Sequence, residues 1–146
     1  MRSESPNMKL IFDTNVVMDV LAERVPFADA STEAMGLAIR KRLRVAITAN
    51  TVTDLYFLLR KHFRDRDKTK SALETLVKSV LVLDTTREHC LLAFQSPVRD
   101  FEDAVLVEAA RSWQADFIVT RNGDDFTASR LDVITPADLL ERFLGN

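Results

Sequence analysis

Short apolar runs of strand length alternate with longer segments of helical periodicity along almost the whole chain. Residues 8–12, 45–48, 80–83, 117–120 and 133–134 read as strands. Helical segments fall at 15–22, from Pro26 toward Arg42, and at 50–63, 68–78, 87–95 and 101–115. Pro136 opens a last helix that runs to Leu144. The apolar stripe of 50–63 is Val52, Leu55, Tyr56 and Leu59, and that of 68–78 is Ala72, Leu73, Leu76 and Val77. Parallel neighbours need a crossover, so this alternation predicts a sheet with helices on both faces. The expected class is α/β: one three-layer α/β/α domain around a mostly parallel central sheet.

Composition narrows the reading. One domain is expected for 146 residues. Hydrophobic residues make up 47 % and argue for a folded core rather than a disordered chain. Residues 1–7 are polar, contain Pro6 and lack an apolar leader core, so they read as a loose, disordered tail, with the folded domain over 8–146. No apolar run approaches the ~20 residues of a membrane span. Cys90 is the one cysteine, which excludes an intrachain disulfide and fits a reducing, cytoplasmic setting. Three glycines leave no Gly-rich phosphate loop, which removes the nucleotide-cofactor branch of this fold class.

Strand direction then selects among the 22 acidic residues. In open parallel sheets, sites form beyond the carboxyl ends of the strands. Asp13 follows strand 8–12. Asn122, Asp124 and Asp125 follow strand 117–120. Asp54 lies near the start of the helix after strand 45–48, and Asp103 lies in the first turn of helix 101–115. Asp116 precedes its strand and belongs to the other edge, as a structural acid. Clustered carboxylates repel, so such a set costs energy unless a divalent cation lies between them. The pattern points to a metal-dependent phosphodiesterase.

Four stretches carry a resemblance: Ile11-Phe12-Asp13-Thr14-Asn15, Ile47-Thr48 with Thr53-Asp54-Leu55, Asp100-Phe101-Glu102-Asp103-Ala104, and Ile118-Val119-Thr120-Arg121-Asn122 with Asp125-Phe126. In order and spacing the chain resembles the PIN-domain family from Met8 to about Leu144. The resemblance implies a compact α/β/α fold, Mg²⁺- or Mn²⁺-dependent ribonuclease activity on RNA, and, as in small VapC-type toxins, an antitoxin partner. The family's second acid is usually Glu. Here Asp54 stands there, one methylene shorter, and a non-catalytic binding or scaffold module is the rival it supports. A phosphatase of the haloacid-dehalogenase type also opens with an Asp after a strand, but it needs a second Asp where Asn15 stands.

Mg²⁺ takes oxygen ligands in near-octahedral geometry and keeps several waters, which suits two or three carboxylates plus a phosphate. Asp13 and Asp103 are assigned as direct ligands. Asp54 holds a second ion or orients the attacking water. Asp125 and Asn122 complete the shell through water, Asn15 supports it, and Thr120 bonds a ligand carboxylate or the scissile phosphate. Each has a plainer alternative: Asp13 and Asn15 as helix caps, Asp103 as a first-turn dipole partner, Asp125 as a turn residue. Asp100 is read as the N-cap of the Phe101 helix. His62 and His89 read as solvent-facing, Cys90 as core and Trp113 as packing. The basic clusters Arg40–Arg44 and 60–70 read as solvated helix ends, with phosphate tracking the alternative where a nuclease site lies nearby. Exposed apolar helix faces point to a homodimer.

Overall fold

The computed structural model describes residues 7–145. Five strands, β1 (Lys9–Phe12), β2 (Arg44–Thr48), β3 (Leu81–Leu83), β4 (Phe117–Val119) and β5 (Val133–Ile134), form one sheet in the order β3-β2-β1-β4-β5. Every pairing is parallel. The sheet is therefore parallel throughout rather than mostly so. Parallel strands are buried on both faces, which is why the central strands read as unbroken apolar runs. Side chains alternate across the sheet. Leu10, Phe12, Val45, Ile47 and Val119 join the larger core. Ile11 and Ile118 point the other way, into a second core under α5 (Arg87–Ala93) and α6 (Phe101–Trp113).

The first core is covered by α1 (Thr14–Leu21), α2 (Ala28–Arg40), α3 (Ala49–Phe63), α4 (Arg66–Ser79) and α7 (Pro136–Leu144). In α3 the stripe Val52, Leu55, Tyr56 and Leu59 packs inward. In α4, Leu73 and Leu76 are buried beside Thr69, while Val77 is exposed. Strand order reverses at β1, which has β2 on one side and β4 on the other, so the crevice at its carboxyl end is the place where a ligand site is expected.

Several local expectations are corrected. Pro26 does not open α2. The Val25–Pro26 peptide bond is cis, and the turn closes through Phe27 and Ala28 N–H groups on the Arg24 carbonyl, at 3.1 and 2.8 Å. His89 is buried, not solvent-facing: its Nδ1 accepts the Thr86 N–H at 3.2 Å, and its own N–H donates to Thr86 Oγ1 at 3.1 Å. That reciprocal pair caps α5. Cys90 is half-buried. Trp113 packs against the second core with the Lys9 ammonium 5.6 Å from its ring. Residues 123–129, where no element is expected and Asp125 has a turn residue as its plainer alternative, form a 3-10 helix. The expected loose tail, residues 1–7, lies outside the described residues except for Asn7.

Asp116 takes the place that polarity assigned to it. Its Oδ2 accepts the Lys9 N–H at 2.7 Å, at the amino edge of the sheet. Arg44 begins β2 at that same edge. Helix α3 runs back from the carboxyl edge, so Arg60 and Lys61 lie in its last turn, roughly 15 Å along the axis from Asn50.

Candidate active site

Register builds the site. Ile11 is opposite Ala46 on β2 and Ile118 on β4. Two residues further, the same face brings Thr48, Asp13 and Thr120 into one row across the carboxyl edge. All three side chains are almost fully buried. Thr120 Oγ1 donates to Asp13 Oδ2 at 2.9 Å, and the Asn122 N–H donates to Thr120 Oγ1 at 3.0 Å. The Asn15 N–H reaches Asp13 Oδ1 at 3.4 Å. Asp13 is thus both the cap of α1 and a fixed acid at the head of the crevice.

Above this row lies an open cavity of about 470 Å³. Six carboxylates line it: Asp13, Asp54, Asp100, Glu102, Asp103 and Asp125. Asn15, Asn50, Thr14 and Thr51 add uncharged polar groups, and Phe57, Leu58 and Leu106 an apolar wall. The face that α3 presents is Asn50, Thr51, Asp54, Phe57 and Leu58, at i, i+1, i+4, i+7 and i+8. The α6 face is Glu102, Asp103 and Leu106. Thr120 acts behind Asp13, as a carboxylate partner. Asn122 contributes its backbone N–H, and its side chain is not part of the cavity lining. Asp100 Oδ1 accepts the Asp103 N–H at 3.0 Å as the N-cap of α6.

The carboxylates disturb one another. Burial first, then the charges of Asp100, Asp13, Asp125 and Glu102, push the Asp103 carboxyl up to about 7. Burial also raises Asp13, against the opposing pull of Thr120, Asn15, Arg121 and Thr14. Glu102 is raised chiefly by a side-chain hydrogen bond with Asp54, then by its charge. Glu102 has no role among the expected site residues, and its signal in the sequence is positional, one residue before Asp103 on the same first turn.

A second buried acid stands beside the row. Asp19 has no exposed surface. Arg24 Nε donates to its Oδ1 at 2.8 Å, and Arg121 Nε to its Oδ2 at 2.8 Å. Arg24 Nη2 also donates to the Asn15 carbonyl at 3.2 Å, and the Arg121 guanidinium stacks 4.1 Å over Phe27. This network ties α1 to the loop after β4, and both carry residues of the crevice.

A sequence model of the PIN domain matches residues 9–124. The chain belongs to the PIN-domain family. No curated protein matches the chain significantly in sequence. Solved PIN-like structures agree with the fold. VapBC2 from Rickettsia felis, bound to a DNA fragment from its promoter, is similar at 14 % identity and TM-score 0.71, over 88 % of this chain and 98 % of that one. VapC20 from Mycobacterium tuberculosis, a toxin that cleaves the sarcin–ricin loop, gives 17 %, 0.67, 82 % and 94 %. PAE2754 from Pyrobaculum aerophilum gives 19 %, 0.67, 95 % and 91 %. The PIN fold thus spans the whole array of elements that carries the acidic crevice.

Proposed function

We propose that this PIN-domain chain is a divalent-metal-dependent ribonuclease, using Mg²⁺ or Mn²⁺ to hydrolyse RNA phosphodiester bonds, and that it is the toxin of a toxin–antitoxin pair. The observation that carries the reading is the convergence of six carboxylates on one crevice, with Asp103 pushed up to about 7 by burial and repulsion. A cation relieves that repulsion, and the donor set is all oxygen, as hard divalent ions require. Among the described residues, no three acidic, His or Cys side chains already stand at the spacing of a shared ion. Closure onto one therefore requires rotation of the more exposed Asp54, Asp103 and Asp125 toward Asp13, which Thr120 holds still.

In this reading Asp13 and Asp103 hold the ion directly, Asp54 holds a second ion or orients the attacking water, and Asp125 acts through water. A bound ion supplies Lewis acidity and an acidified water. Water adds to phosphorus as a carboxylate takes its proton, the bond from phosphorus to the ribose oxygen breaks, and that oxygen leaves as a hydroxyl after gaining a proton from solvent or a protonated carboxyl. Glu102, raised by its contact with Asp54, is the acid best placed to hold the proton taken from water. The rival non-catalytic reading rested on the short arm of Asp54. Glu102 beside it supplies a second carboxylate there and weakens that rival.

Support for a protein partner comes from the neighbours, several of which are toxin–antitoxin complexes. The chain also leaves Leu91, Leu92, Phe94 and Phe101 exposed, with the two phenylalanine rings 4.9 Å apart. An antitoxin segment or a second copy of the chain would bury that face. Cleavage of a mixed RNA pool in Mg²⁺ or Mn²⁺, abolished by chelation and by Asp13→Ala, tests the activity. A metal-supplemented, correctly folded protein that leaves the pool intact would overturn it.

A further inference from the structure

A chain of hydroxyls crosses the carboxyl edge beneath the crevice, and its direction can be deduced. Thr48 Oγ1 donates to Asn50 Oδ1 at 2.8 Å, and Thr85 Oγ1 donates to the same oxygen at 2.6 Å. Each hydroxyl has one hydrogen to give. The hydrogen of Thr48 is spent on Asn50, so the 3.0 Å contact between Thr48 and Thr51 is donated by Thr51. The hydrogen of Thr51 is then spent as well, so the 3.0 Å contact between Thr14 and Thr51 is donated by Thr14. The relay runs from Thr14 through Thr51 and Thr48 to Asn50, where the donation from Thr85 meets it.

The Thr85 contact, at 2.6 Å, is shorter than N–H···O bonds run and has the length of an O–H···O bond, and the 2.8 Å contact of Thr48 fits the same orientation. The amide oxygen is the end that faces the hydroxyls. The carbonyl oxygen is held from behind by two donors, and the NH₂ group, with two N–H donors, is left to the crevice that Asn50 lines. Apart from Asn50 itself, Asn15, the two threonines and the apolar wall, the crevice is lined by carboxylates, which when ionised only accept. A phosphodiester presents two non-bridging oxygens that also only accept. Only cations and hydrogen-bond donors can meet them, and the hydrogens of Thr14 and Thr51 are already committed within the relay. Asn50 further lies in the first turn of α3, where the positive end of the helix favours an anion.

We propose that Asn50 is a substrate-binding residue that donates its side-chain N–H to a non-bridging oxygen of the scissile RNA phosphate, with Thr48 and Thr85 as the positioning residues that set the amide. The assignment rests on the ribonuclease reading above and adds to it a contact that no carboxylate can make. The relay also gives Thr14 a defined role. Its hydrogen is committed to Thr51, so toward the crevice it can only accept.

Asn50→Asp is the informative variant. It keeps an oxygen for both threonine hydroxyls, removes the donor and adds a negative charge, so the loss of the sulfur penalty, rather than the rate on natural RNA alone, reports the donor. Single-turnover cleavage is measured on RNA carrying an Rp or an Sp phosphorothioate at the cut linkage, for wild type, Asn50→Asp and Thr85→Val. Loss of one donor to the developing charge is expected to slow Asn50→Asp on natural RNA by about 10²–10³-fold, with Mn²⁺ half-saturation no weaker than wild type. Sulfur at the oxygen that Asn50 contacts should slow the wild type, and that penalty should vanish in Asn50→Asp. Thr85→Val should show a smaller loss of the same kind. Equal rates for wild type and Asn50→Asp, with the sulfur penalty intact in both, would overturn the assignment of Asn50 and leave the ribonuclease reading standing. Failure of the wild type to cleave RNA in metal would remove both. If Asn50→Asp does not fold, the Thr85→Val sulfur penalty decides: unchanged from wild type, it overturns the proposal.

Discussion

Thr120 and Asp13 meet across 2.9 Å although 107 positions separate them in the chain. Parallel register between β1 and β4 places them side by side, and both lie in the interior. A buried carboxylate oxygen therefore depends on one hydroxyl. Thr120→Val keeps the shape and removes the donor. It should cost about 1–3 kcal/mol of stability and raise the Asp13 carboxyl further, whereas Thr120→Ser should behave nearly as wild type. Denaturant titration of both variants checks this; equal stability of the Val and Ser proteins would contradict it.

Asp103 links the site to pH. Its folded value of about 7 lies above the reference value of 3.8. The folded state therefore binds a proton that the unfolded chain has released, and stability from this group falls as pH rises from about 4 to 7. Asp103→Asn should abolish cleavage, leave the metal-free protein equal to or more stable than wild type at neutral pH, and flatten the decline across that window. Melting curves of the two proteins at several pH values provide the comparison. A variant clearly less stable at neutral pH would mark Asp103 as a structural acid.

Mg²⁺ or Mn²⁺ should raise the melting temperature, because the ion binds the folded carboxylates and not the unfolded chain. At a hundredfold excess over the dissociation constant the gain is about 2.7 kcal/mol. The same titration on Asp13→Ala is the control, and identical responses would remove the site.

Asp125 and Asp116 bracket β4 and should behave oppositely. Asp125→Asn should weaken metal dependence, most visibly at low metal. Asp116→Asn should alter stability alone, through the Lys9 contact. The four steps from Asp116 to Thr120, at ~3.3 Å each, separate the two ends of the strand by roughly 13 Å. A metal-titrated activity assay that finds the reverse pattern would refute the strand polarity on which the whole site rests.

Asp19→Asn should destabilise by about 3–5 kcal/mol, because two guanidiniums lose the one charge buried between them. Chemical denaturation measures it, and a loss below ~1 kcal/mol would show that solvent screens both arginines.

Much of this was legible in the sequence, and the limits follow distance along the chain. The alternation of apolar runs with amphipathic segments specifies the sheet, and strand polarity sorts Asp13, Asp103 and Asp125 from Asp116 without other information. Asp19 could not be found that way. It sits mid-helix, and one of its partners, Arg121, is 102 residues away. His89 was misread because Arg87 and Glu88 look like a solvated stretch, whereas the Thr86–His89 spacing alone carries the cap. Asn50 and Glu102 were within reach. Each shares a helical face with an acid already chosen, but a face of mixed polarity reads by default as solvent-facing.

The basic clusters lie away from the crevice: Arg44 is at the amino edge, and Arg60 and Lys61 are in the far turn of α3. The mouth therefore presents a wall of acid to anything that approaches. A polyanion meets repulsion there until cations have loaded, and cations meet attraction from the start. If the chain is the metal-dependent ribonuclease proposed above, addition would be ordered, metal before RNA. Raising the RNA concentration would then not substitute for scarce metal, and activity would follow the free cation level before the supply of substrate.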